Sequence, residues 1–195
     1  MAVLVDSFTN GNYGNSFYAG SISKSGETFV PNASGSLYSA KFQFEKVGSP
    51  TGTMVFTLYN ITGTPGVNAK ATGTVLATSS SLDVSTISSG SLNYYELLFP
   101  AGQQYIINSG NNYCIIAEYT STFSDGSNRI RQGGDVSGSD SGANGTYYSS
   151  STWYSDTNTF VKFYVYATPP PQGLPGNIIR HLSVGDGMSR NERAL

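Results

Sequence analysis

The chain has 195 residues, a formal net charge of −2 and only 11% charged residues, against roughly a quarter in ordinary soluble domains. That length buries a real core without metal or disulfide staples. The charge excludes the basic footprint of a nucleic-acid binder. With 23 glycines and 14 tyrosines among many Ser, Thr and Asn, the composition suits β-sheets with frequent turns and a neutral, hydroxyl-rich surface of the kind extracellular proteins carry.

The chain opens MAVLVDSFTNGNYG, where the apolar run Ala2–Val5 is stopped by Asp6. That is too short for the apolar core of a signal peptide, and no stretch approaches the roughly 18 apolar residues of a membrane span. A virion component reconciles an exterior composition with a missing secretion signal, and so does a secreted protein whose signal has been removed. In chain order, LVDSF is the first strand candidate. SAKFQFEKV alternates, with Ala40, Phe42 and Phe44 on one face and Lys41, Gln43 and Glu45 on the other. After the turn GSPTG, TMVFTLYNI aligns Met54, Phe56 and Leu58. TGTPGVNAKATG is a loop, a short strand follows near Val75–Ala77, and YYELLF aligns Tyr95, Leu97 and Phe99. YIIN is a short strand, and YCIIAEYT reads as a central strand, apolar on both faces. NRIRQGG reads as an edge strand, and DVSGSDSGANGTYYSSSTWYSDTN as a long polar and aromatic loop. FVKFYVYAT closes the series, with Val161, Phe163 and Val165 inward and Lys162, Tyr164 and Tyr166 outward. It suits a place beside the first strand.

About eight or nine strands separated by Gly/Ser/Asn turns, with no amphipathic helix, predict an all-β fold: a two-sheet, jelly-roll-like β-sandwich over residues 1–168. At Thr168 the pattern stops. Residues 169–176 (PPPQGLPG) form an extended linker. Residues 177–195 are a C-terminal arm too short to fold alone, with Ile178, Ile179, Leu182 and Val184 as an apolar cluster beside Arg180, His181, Arg190 and Arg193. Two readings of the arm stand. It is a solubilising terminus, or it docks through Ile178, Ile179 and Leu182 while its basic side chains pair with acidic groups on a partner.

LVDSF, SLYSAKFQFEKVGSPTGTMVFTLYNITG, TGTVLATSSSLDVSTIS, YCIIAEYT and GTYYSSSTWYSDTNTFVKFYVYAT together resemble the choice-of-anchor type of β-sandwich domain found in bacterial surface proteins and phage proteins. The resemblance covers nearly all of residues 3–168. It implies a jelly-roll-like sandwich with a non-enzymatic, surface-associated role, and carries over no catalytic residues. LPGNI in the linker looks only superficially like a sorting signal, and no apolar span follows it.

Candidate sites are few. Tyr147, Tyr148, Trp153 and Tyr154 sit among Ser, Asn and Asp156; as an exposed platform they would stack on sugar rings, and as end-plugs they would complete the sandwich core. Asp125, Asp135 and Asp140 lie in Gly/Ser-rich loops without the spacing of a calcium loop, so no metal or other cofactor is expected. Cys114 reads as a small buried hydrophobe. No spacing singles out a carboxylate pair for glycoside hydrolysis, and a Ser–His–Asp triad would need His181 from the arm. Asn32, Asn60 and Asn144 head N-x-S/T patterns that an Asn/Ser/Thr-rich chain produces by accident. The function expected is a non-enzymatic structural protein, a phage virion component (capsid decoration or fibre) on the virion surface or outside the cell. It would be held through its arm as a homo-oligomer or in a larger assembly. The alternative is a carbohydrate-binding module using the aromatic loop.

Overall fold

The computed structural model describes residues 1–11, 15–136 and 142–170. The arm residues Ile178, Ile179, Arg180, His181, Leu182, Arg190 and Arg193, most of the linker, and Asp140 lie outside the described residues. Within them the chain forms β1 (Val3–Phe8), β2 (Ser16–Phe17), β3 (Lys24–Phe29), β4 (Gly35–Val47), β5 (Thr51–Thr62), β6 (Lys70–Thr78), β7 (Leu82–Asp83) and β8 (Asn93–Leu98). It continues with β9 (Ile106–Ile107), β10 (Tyr113–Phe123), β11 (Arg129–Gln132), β12 (Gly134–Asp135), β13 (Gly145–Ser149), β14 (Thr152–Asp156), β15 (Phe160–Val161) and β16 (Phe163–Thr168). One short 3-10 turn, Val84–Thr86, is capped by the Asp83 side chain, which accepts from Ser85 N.

The expected all-β sandwich is what the chain forms: two antiparallel sheets packed face to face. In the first, β1, β16 and β4 lie side by side and β8 flanks the far edge of β4; β11 continues beyond β16 along β4, followed by β2. The second runs β14, β13, β3, β10, β5, β6. β16 does pair with β1, Val3 opposite Ala167 and Phe8 opposite Phe163. Three expectations are corrected. The segment TGTPGVNAKATG is not all loop, since β6 begins at Lys70, opposite Thr62. β11 lies between β4 and β2, so it is not an edge strand. The segment read as a long aromatic loop contains the hairpin β13–β14, because β13 finds a ready partner edge on β3.

The interior is made by the alternating runs. Phe42, Phe44, Met54, Phe56 and Leu58 have no solvent exposure, and the Phe42 and Phe56 rings meet edge to face with centroids 4.9 Å apart. Burying each such side chain contributes about 1.5–3 kcal/mol. β3 reads poorly as a strand because its inward residues include Ser25 and Glu27, both fully buried. Glu27 belongs there because its Oε2 accepts the Val161 N–H at 3.0 Å, tying β15 to β3. Gly26 is required at the same strand, since a Cβ there would lie 1.9 Å from the Ile115 carbonyl oxygen.

The second sheet curls so far that its edge strands β6 and β14 touch across its outer face. Lys70 Nζ donates to the Trp153 carbonyl at 3.2 Å, and Gly66 N–H to Asn144 Oδ1 at 2.7 Å. The curl encloses a second apolar cluster of Tyr59, Ala71, Cys114 and Ile116, with Ile61 and Trp153 packed on it. Cys114 is buried and unbridged as expected; burial, then the Glu27 charge, pushes its thiol well up, so it stays unreactive.

Candidate functional site

Ser149 pairs with Thr152, leaving Ser150 and Ser151 as a two-residue turn with φ of 48° and 63°. Both values are left-handed, as a type I′ hairpin turn requires. Side chains then alternate between the two faces of the hairpin. Tyr148 lies opposite Trp153 and beside Lys24, on the outer face of the second sheet. Tyr147 lies opposite Tyr154 and beside Ser25, on the other face. The four aromatic residues singled out in the sequence are therefore divided into two pairs and do not share one platform.

The Tyr148–Trp153 pair faces inward upon the curl. Their ring centroids are 5.1 Å apart, and Trp153 meets Tyr59 at 5.4 Å. Lys24 Nζ lies 5.7, 5.6 and 5.8 Å from the rings of Tyr59, Tyr148 and Trp153, and 2.7 Å from Glu118 Oε2. It donates to the Tyr59 hydroxyl at 3.1 Å, and that hydroxyl donates to Glu118 Oε1. Burial, then the hydrogen bond to Glu118, raises the Tyr59 phenol far above its ordinary range. Trp153 thus closes the second cluster and is not a plug at an end of the main core. The Tyr147–Tyr154 pair, on the opposite face of the hairpin, is stacked at 5.1 Å with 15° between the ring planes, and Tyr154 is 40% exposed at the sheet edge.

Beside Tyr148 opens a cleft of about 400 Å³ between the Tyr18–Ser23 loop, the end of β10 and the Ser150–Ser151 turn. The loop is pinned from several sides. Ser21 N–H donates to Tyr18 O at 3.1 Å, Ser23 N–H to Tyr148 O at 3.2 Å, and Tyr119 N–H to Ser23 O at 2.9 Å; Ala19 N–H donates to Ser124 Oγ at 2.9 Å. Tyr18 gave no signal in the sequence, because NSFYAGSIS has neither strand periodicity nor a motif.

A second aromatic surface lies on the outer face of the first sheet, where Tyr164 and Tyr166 point outward as their alternation predicts. Tyr94 meets Tyr164 at 5.2 Å, and Lys41 Nζ sits 5.0 Å from the Tyr166 ring and 3.1 Å from Glu96 Oε2. Burial and a hydrogen bond with Tyr164 push the Tyr94 phenol up to about 12.

The remaining candidates are accounted for by local structure. Asp125 Oδ1 accepts from Ser127 N at 2.7 Å and Asn128 N at 2.8 Å, which holds its carboxyl below the ordinary range. Asp135 is in β12, paired with Phe160 of β15. Among the described residues no three His, Cys, Asp or Glu side chains gather as a metal site, and no helix is long and apolar enough to cross a membrane. Asn144 is fully buried, so its amide is closed to glycan attachment in the folded chain. Compared with protein-family models, curated proteins and solved structures, the chain matches none.

Proposed function

We propose that the chain is a non-enzymatic structural protein, a virion component such as a capsid decoration or fibre, whose sandwich is displayed and whose C-terminal arm holds it in its assembly. One observation carries this reading: the sandwich is polar. β1 begins at Val3 opposite Ala167, and Gly35 at the start of β4 lies against Thr168 O, so the chain enters and leaves at one end. The 13 residues of β4 then run to the opposite end, roughly 40 Å away at about 3.3 Å per residue. There Lys46 pairs with Ile130 and Ile130 with Phe17, next to the Tyr18 loop and its cleft. A module held at one end presents the other outward. The mass of the full chain in solution, by light scattering after size exclusion, tests the reading against a variant with Ile178→Ser, Ile179→Ser and Leu182→Ser and against a chain ending at Thr168. The expected result is an oligomer that both changes dissolve; full-chain and altered proteins that each run at their own monomeric mass would rule out self-assembly through the arm.

A second reading is a carbohydrate-binding module. It is favoured by the exposed, stacked Tyr147–Tyr154 pair and by the aromatic, hydroxyl-lined cleft beside Tyr148. A glycan panel probed with the full chain tests it, and loss of binding in Tyr154→Ala would assign the stacked pair as the platform.

A further inference from the structure

We infer that the cleft, and not the stacked tyrosine pair, is the ligand site, and that it takes the terminal one or two rings of an uncharged glycan. The inference rests on the carbohydrate-binding reading and narrows it. At about 400 Å³, the cleft is at the small end of ligand sites, whose range begins at roughly 300 Å³. That is room for a chain end, not for a polysaccharide lying along a groove. Tyr18 and Tyr148 line the wall, and aromatic rings are the groups that pack on sugar C–H patches. The rest of the lining is largely hydroxyl: Ser21, Ser23, Ser121, Ser150 and Ser151.

Those hydroxyls are uncommitted. The Tyr119 hydroxyl on the cleft wall is used up, donating to Thr51 O at 2.8 Å. Among the described residues, the hydroxyls of Tyr18, Tyr148 and the five serines make no hydrogen bond to protein. Each can donate and accept, as sugar hydroxyls do. Among the described residues no Asp, Glu, Lys, Arg or His lines the cleft, so an acidic sugar would find no opposite charge from them there. The turn adds a second, independent observation. Asn-Gly is the preferred pair for a type I′ turn, yet this turn has serines at φ 48° and 63°. Non-glycine residues held in that region gather at ligand sites, and here they place two hydroxyls on the cleft rim where glycine would supply none.

The test is a titration of the full chain with lactose, maltose, cellobiose, di-N-acetylchitobiose and sialyllactose, followed by amide chemical shifts. The expected result is binding of at least one neutral sugar, weakened at least about tenfold by Tyr18→Ala and by Ser121→Trp, which fills the cleft. Melting temperatures should be unchanged and Tyr154→Ala should bind as the parent does. Binding of sialyllactose alone would overturn the neutral-ligand assignment. Loss of binding in Tyr154→Ala, with the two cleft variants unaffected, would overturn the cleft and leave the carbohydrate-binding reading standing. No binding across the panel would overturn the inference and that reading together.

Discussion

The space between the two sheets and the space inside the curl of the second sheet are filled by different chemistry. The first is packed with phenyl rings and aliphatic side chains: Phe42, Phe44, Met54, Phe56 and Leu58 have no exposure at all. The second holds an ammonium and a carboxylate among its rings, with Lys24 from β3, Tyr59 from β5, Glu118 from β10, Tyr148 from β13 and Trp153 from β14. Hydrophobic packing tolerates exchange of similar volumes. A half-buried ion pair does not, because its desolvation is offset only while every partner is in place. The outer cluster thus joins side chains from five strands, both strands of the hairpin among them, around one ion pair.

That contrast is open to four tests. Phe56→Ala should have the largest effect, a loss of about 3–5 kcal/mol in urea unfolding, since its ring touches both Phe42 and Phe44. A loss under about 1 kcal/mol would show that the interior repacks freely. Glu118→Gln should cost about 1–2 kcal/mol, because the pair is partly solvated, with side-chain exposures of 29% and 17%. The loss should exceed that of the double change with Lys24→Met, and equal losses would remove the ion pair's special role. Third, Ser150→Asn with Ser151→Gly should stabilise the fold by about 1 kcal/mol, since left-handed backbone costs that much per ordinary residue. If the cleft takes a glycan as proposed, the same change should weaken that binding.

The smallest effect lies outside both clusters, at Tyr94. Its phenol is raised to about 12 by burial and by Tyr164. A raised folded value means the protonated form is favoured by folding. Its contribution is complete below the ordinary phenol range and disappears as pH climbs through 12. Tyr94→Phe should remove a late-titrating component from the phenolate absorbance curve and flatten stability between about pH 10 and 12.

Strands whose inward residues are aliphatic or phenyl were legible in the sequence, and strands built from other residues were not. β4, β5, β8 and β16 show period-two alternation, and the apolar run YCIIA of β10 betrays its central position by having two buried faces: Ile115 and Ala117 inward, Cys114 and Ile116 in the outer cluster. β3 escaped notice because KSGETF buries Ser25 and Glu27, which only a tertiary hydrogen bond makes tolerable. The hairpin looked like a loop because GTYYS and TWYSD each set two adjacent aromatics among polar residues, without period-two alternation and with no aliphatic side chain. Once its pairing is known, alternation divides Tyr147 and Tyr154 from Tyr148 and Trp153 without further information. The cleft was beyond sequence reasoning, since Tyr18, Ser121 and Ser150 meet there from segments far apart in the chain.

The pairing of β16 between β1 and β4 has a consequence for synthesis. A ribosome releases β1 first, and the strand that must sit beside it emerges more than 150 residues later, since Val3 waits for Ala167. Until then β4 shows translation factors and chaperones a bare edge, available to any other extended chain. The first sheet cannot be completed until β16 has emerged. Its completion is governed by one distant contact, and such contacts form slowly. Crowded production of many copies is the condition in which a nascent edge of this kind meets its neighbours.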